Sequence, residues 1–229
     1  MLKKLGCSLA LTLLFFFGLV RTHAQSDEKK FEVGGQFSSL RVPTRSVTLT
    51  GSALVSTEAR DTNYGFGGRF GYNFSKYFSL EAEGNFFARD RDVDGGRKTQ
   101  ALFGVKAGKR FEKFGVFAKA RPGFVRYEKG DYRFGTGGCP TVFPPPLGCF
   151  RPVARTNFAV DLGGVVELYP SKRTIIRFDG GDTIVRLPAR NVAESQSNAS
   201  SPVFNLVVLP ESRQTTHNIQ ASVGFGFRF

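Results

Sequence analysis

The sequence predicts an all-β protein: an eight-stranded antiparallel up-and-down transmembrane β-barrel with short periplasmic turns and long external loops. Three observations predict it. Apolar and polar residues alternate with period two over eight separate segments. The connections between those segments alternate between tight and long. The chain opens on an export signal and closes on an aromatic residue. The 229 residues include 27 Gly and 25 Phe but no Trp. Such a composition suits strands, where Phe covers a face and Gly admits a close neighbour.

The opening stretch "MLKKLGCSLALTLLFFFGLVRTHA" places Lys3 and Lys4 before an apolar run that ends at Val20, then Thr22, His23 and Ala24. A charged start, a short apolar run and small residues at a cleavage site make a signal peptide over 1–24. The run is short for a membrane helix. Removing it takes away Lys3, Lys4 and Arg21 and leaves 29 basic and 19 acidic residues, a net charge of +10. The mature domain is then 25–229. An exported protein rarely meets cytoplasmic nucleic acid, so no nucleic-acid partner is expected. Outer-membrane lipid and the phosphates of lipopolysaccharide suit the charge better.

The eight segments follow in order. "FEVGGQFSSL" sets Phe31, Val33, Gly35 and Phe37 against Glu32, Gln36 and Ser38. "NYGFGGRFGYNF" sets Tyr64, Phe66, Gly68, Phe70, Tyr72 and Phe74 against Asn63, Arg69 and Asn73. "FSLEAEGNFFAR" sets Phe78, Leu80, Ala82, Gly84 and Phe86 against Ser79, Glu81, Glu83 and Asn85. "TQALFGVKAGKRF" sets Ala101, Phe103, Val105 and Ala107 against Gln100, Lys106 and Arg110. "VFAKARPGF" sets Val116, Ala118, Ala120 and Phe124 against Lys119 and Arg121. "NFAVDLGGVVELY" sets Phe158, Val160, Leu162, Val166 and Leu168 against Asn157, Asp161 and Glu167. "TIIRFDGGDTI" sets Ile176 and Phe178 against Arg177 and Asp179. The last is "HNIQASVGFGFRF". Alternation sustained this way argues strand over helix. Asp182 breaks the seventh pattern; a bulge at Gly180-Gly181 or a position above the membrane would each account for it.

Tight connections fall at "SKY", "EKF" and "PSK". Long ones cover 42–61, 89–98, 127–155 and 185–215. Tight turns therefore share one end and long loops the other, as in outer-membrane barrels. A soluble lipocalin-like barrel is the rival. The loop asymmetry counts against it, as does the gathering of Tyr72, Phe74, Phe78, Phe111, Phe114 and Tyr169 near the tight turns, where an interfacial girdle belongs.

Within a bilayer core every backbone N–H and C=O needs a partner, so the last strand must zip to the first. The ending "ASVGFGFRF" meets that need with an apolar row. Here the mature chain resembles OmpA/OmpX-like eight-stranded barrels, the outer membrane protein beta-barrel domain family. In that family the last strand carries an assembly signal, and Ser222, Gly224, Phe227 and Phe229 match it. The resemblance implies a bacterial outer-membrane location and recognition by the barrel assembly machinery. It departs from OmpA itself, since no peptidoglycan-binding domain follows Phe229.

The other face would turn inward. It carries Arg69, Lys106, Lys119, Arg121, Arg177 and Arg228, with Glu32, Glu81, Glu83, Asp161, Glu167 and Asp179. An eight-stranded interior is just wide enough for side chains, and buried charges need partners. A lumen filled by a salt-bridge network is the favoured reading; a narrow gated pore is the alternative.

Signals for chemistry are weak. His217 alone remains after export, with no serine two residues away, so a lipid A-modifying enzyme is a distant third reading. "GFGGRFG" lies in a strand and opens no helix, unlike a phosphate loop. Asp90, Asp92 and Asp94 begin a calcium-loop pattern, but Ala101 stands where the closing acid belongs. A solvated hairpin tip is favoured there over weak cation binding. Cys139 and Cys149 share the loop "GTGGCPTVFPPPLGCF", and an oxidising periplasm favours a disulfide between them. The expectation is a monomeric structural or surface-interaction barrel with no cofactor, metal or catalytic role.

Overall fold

The computed structural model describes residues 29–50, 53–88, 96–135, 149–198 and 201–229, with backbone alone over 44–50, 53–59, 192–198 and 201–209. Eight strands close a barrel: β1 (Phe31–Thr50), β2 (Ala53–Asn73), β3 (Phe78–Phe87), β4 (Lys98–Arg110), β5 (Phe114–Phe134), β6 (Phe150–Leu168), β7 (Thr174–Leu187) and β10 (Gln214–Arg228). Each pairs antiparallel with its neighbour, and β10 returns to β1 from Glu32↔Arg228 to Arg41↔Ile219. The seam is completed below that register. Phe31 and Phe229 exchange backbone N–H···O bonds of 2.9 Å each, and their rings stack at 6.2 Å. The predicted signal peptide lies outside the described residues.

The tight turns fall where expected. Ser75 Oγ accepts the N–H groups of Tyr77 and Phe78 at 3.2 and 3.0 Å. Ser171 Oγ accepts those of Arg173 and Thr174 at 3.2 and 3.1 Å. Between β4 and β5 the Phe111 N–H closes on the Phe114 carbonyl at 2.7 Å. Short serine side chains replace the turn carbonyls as acceptors, which fixes these reversals locally.

The long connections differ from expectation. β1 and β2 run on as one ladder through Val42↔Asp61 to Thr50↔Ala53, across most of the segment read as a loop. β5 and β6 continue to Phe134↔Phe150, with a register shift between Tyr127 and Asp131. The stretch 185–215 contains a further hairpin, β8 (Arg190–Asn198) and β9 (Ser201–Glu211), whose β8 runs parallel to β1 at Val47–Leu49. A membrane crossing needs about 9–11 strand residues. β1 and β2 have 20 and 21. Both therefore run well past the length that a crossing needs.

The faces sort as read. Phe31, Phe37, Phe66, Phe70, Phe103, Phe158, Phe225 and Phe227 point outward and are exposed, while the acidic and basic rows are buried. One placement is corrected and one open account is narrowed. Tyr169 is buried at the tight-turn mouth, not set in the girdle, because its hydroxyl finds Glu167 inside. Asp182 sits in unbroken register opposite Leu162 and Ile219, with no bulge, and shares their outward face.

Candidate functional site

The inward rows converge into three layers. Nearest the tight turns, Lys106 on β4 directs its ammonium to Glu167 (2.5 Å), Glu81 (3.1 Å) and Glu32 (3.5 Å). These three carboxylates lie within 4.8 Å of one another. A metal ion would suit such a cluster, but the ammonium already serves as its cation. Arg110 donates to Glu32 (3.3 Å), Asn73 (3.0 Å) and the Tyr169 oxygen (3.1 Å). Tyr169 in turn donates to Glu167 at 2.8 Å. Burial, then the Glu167 carboxylate, raises the Tyr169 hydroxyl above its ordinary range, which keeps it a donor.

The middle layer centres on two arginines. Arg177 on β7 clamps Glu81 on β3 with both terminal nitrogens, one at 2.9 Å, and reaches Asp179 at 2.9 Å. Arg121 on β5 joins Asp161 (2.5 Å), Glu83 (2.5 Å) and Asp179 (3.4 Å). Lys119 adds contacts to Asp161 (2.8 Å) and Asp179. Bidentate arginine–carboxylate pairs fix geometry as well as charge. β7 and β3 lie four strands apart either way round the ring, so the Arg177–Glu81 contact crosses the full bore.

Above lies an uncharged layer that alternation predicted only as polar. Asn85 links Gln36 (2.9 Å), Glu83 (2.7 Å) and Gln100 (2.8 Å). Gln100 on β4 then meets Gln220 on β10 at 2.9 Å, again between diametrically opposed strands. Gly67 is required here, since a Cβ would fall 2.1 Å from Asn85 Oδ1. Toward the long-loop end Val125, Tyr127, Ala159, Val185 and Leu187 form an apolar cluster. The alternation rule could not find it, because it reads apolar residues as outward-facing.

Of the twelve predicted lumen residues, ten join ion pairs: Glu32, Glu81, Glu83, Lys106, Lys119, Arg121, Asp161, Glu167, Arg177 and Asp179. Arg228 does not. At the strand end its guanidinium lies 4.1 Å from the Tyr169 ring centroid and donates to the Lys172 carbonyl at 3.0 Å. Arg110 takes its place in the network. Arg69 is buried as expected, but its three guanidinium nitrogens meet no hydrogen-bond acceptor among the described residues. Of the assembly-signal residues, Phe227 and Phe229 are exposed on the outer face, while Gly224 is buried and Ser222 half-buried. Asp90, Asp92, Asp94 and Cys139 lie outside the described residues, and Cys149 is buried.

On the outer face His217 Nδ1 meets Asp182 Oδ2 at 2.6 Å. Among the described residues no hydroxyl bonds to that imidazole.

A family model described as outer membrane protein beta-barrel domain matches residues 8–229. No curated protein sequence matches the chain significantly. Among solved structures, Neisserial surface protein A is similar at 9% identity and a TM-score of 0.49, covering 87% of this chain and 97% of its own. Ail, the attachment invasion locus protein of Yersinia pestis, is 11% identical with a TM-score of 0.44, covering 88% and 100%. The N-terminal β-barrel domain of Pseudomonas aeruginosa OprF is 10% identical with a TM-score of 0.34, covering 86% and 99%.

Proposed function

We propose, from the premise that this chain belongs to the outer membrane protein beta-barrel domain family and resides in the bacterial outer membrane, that it is a non-catalytic structural and surface-interaction barrel with a sealed lumen. One observation carries the reading: side chains meet across the full bore at two heights, Arg177 with Glu81 and Gln100 with Gln220. A conducting path would have to part both. Multidentate buried ion pairs resist that, because each separated charge would stand unpaired in a low-dielectric interior.

The interaction surface on this reading is the long-loop end, facing outside the cell. It is built, not merely long. The β1–β2 ladder and the β8–β9 hairpin rise beyond the barrel. Asn191 at the foot of β8 ties back to β5 through its N–H to Asp131 (3.0 Å) and its side chain to the Tyr132 carbonyl (3.0 Å). Asp131 is held by Arg155 at 3.1 Å. A Cys139–Cys149 disulfide stiffening the β5–β6 connection belongs to the same proposal, as do a monomeric state and recognition of the last strand by the assembly machinery. Planar-bilayer recording on the purified barrel tests it. No steady conductance is expected; steady conductance would return the protein to the small-solute pore class.

A further inference from the structure

Arg69 is the lumen cation that the network leaves over. It is 6% exposed, and its Nε and both terminal nitrogens are buried without an acceptor among the described residues. Register offers it Glu83, directly opposite on β3. Yet Glu83 is held by Arg121 at 2.5 Å and by Asn85 at 2.7 Å. The other five lumen acids, Glu32, Glu81, Asp161, Glu167 and Asp179, also hold cations other than Arg69. Arg69 instead turns the other way, over β1. A Cβ at Gly34, its opposite neighbour there, would fall 3.3 Å from the Arg69 Nε.

That stretch of wall carries no side chain. Gly34 stands opposite Gly226 on β10, and Gly224 is the next inward position along. Gly224 in turn stands opposite Arg177 on β7. Three inward glycines therefore lie between the two arginines. Arg177 directs its terminal nitrogens to Glu81 and Asp179. Its Nε, like the nitrogens of Arg69, is buried without an acceptor among the described residues. The donors left over thus belong to two side chains rooted on either side of one strip of bare backbone. Their like charges repel one another.

We infer that this glycine strip is a binding site for one small monovalent anion, of the chemistry of chloride, held between the Arg69 guanidinium and the Arg177 Nε. The inference goes beyond the surface-barrel reading, since it gives the lumen a ligand. A guanidinium does not shed its proton in a protein, so Arg69 cannot escape burial by becoming neutral. A buried charge needs a counter-charge and acceptors for its N–H groups. A halide supplies both from a single atom, and the interior of an eight-stranded barrel leaves little room for more. Arginine is weakly hydrated, so it favours chloride and bromide, which give up water readily, over strongly hydrated fluoride.

The test follows urea unfolding of the full mature barrel in neutral phosphatidylcholine vesicles. Sodium chloride, bromide or fluoride replaces sodium gluconate at constant ionic strength. A ligand that binds only the folded barrel raises the folded-to-unfolded ratio by about tenfold for each tenfold rise in its concentration above Kd. The native barrel should show that dependence on chloride and bromide and none on fluoride. Arg69→Met should abolish it. In gluconate alone that variant should be no less stable than the native barrel, because an uncompensated buried charge is gone. Arg126→Gln, at an exposed position on the outer face of β5, should keep the full dependence. Crystals of the native barrel grown in sodium bromide should show an anomalous peak between Arg69 and Arg177. A native barrel indifferent to chloride would mean that water alone serves Arg69 and would overturn the inference. Undiminished chloride dependence in Arg69→Met would overturn it too, as would bromide peaks only at other places. If Arg69→Met does not fold, the native titration and the bromide map decide. None of these outcomes measures conductance, so the sealed-lumen reading fails or stands separately.

Discussion

Replacing Arg177 by Met tests the contact on which the sealed lumen depends. The guanidinium is 1% exposed and holds Glu81 through both terminal nitrogens and Asp179 at 2.9 Å. Removing one member of a buried pair costs about 3–5 kcal/mol, because the other charge is left uncompensated. Here the acids keep other partners. Glu81 retains Lys106 at 3.1 Å and Arg121 at 3.6 Å, and Asp179 retains Lys119 and Arg121. The expected loss is therefore near the lower end, about 3 kcal/mol. Glu81→Gln should also destabilise, and the double variant should cost less than the sum. A coupling of about 1–2 kcal/mol is expected for groups in direct contact. The chain has no Trp, so unfolding is best followed by far-UV circular dichroism and heat-modifiable migration of barrels folded in vesicles. Additive losses, with coupling below about 0.5 kcal/mol, would mean that β7 and β3 do not meet across the bore. That result would refute the sealed lumen even if the barrel folds.

Three further outcomes are expected. Phe229→Asp should lower the amount of heat-modifiable barrel in the outer membrane, because it puts a charge at the seam where Phe229 stacks on Phe31; unchanged levels would sink the assembly-signal reading. Single cysteines placed at Ser52 and at Lys113 should react with a membrane-impermeant thiol reagent in whole cells only at Ser52, and labelling at Lys113 would reverse the orientation. Cys139→Ser should leave barrel folding nearly intact while making 136–148 more protease-sensitive, and unreduced peptide mass spectrometry showing two alkylated thiols in periplasm-matured protein would disprove the bridge.

The sequence by itself determined the closed barrel, its eight crossing strands, the tight-turn end and the faces taken by the Phe-rich and charged rows. That information is local. Lipid on one side and a packed lumen on the other impose a period of two on each strand, and Phe70 beside Arg69 records both environments without reference to any other strand. Only the tertiary structure decided which inward residues share a level. Ring closure and the stagger between strands bring Arg177 to Glu81, 96 positions away in the chain. They give Arg110 the place that alternation assigned to Arg228, and leave Arg69 without an acceptor among the described residues. Past the membrane the local signal lapsed as well. Residues 42–50 fall in a segment that reads as a long loop, and only their pairing with 53–61 shows them to be strand.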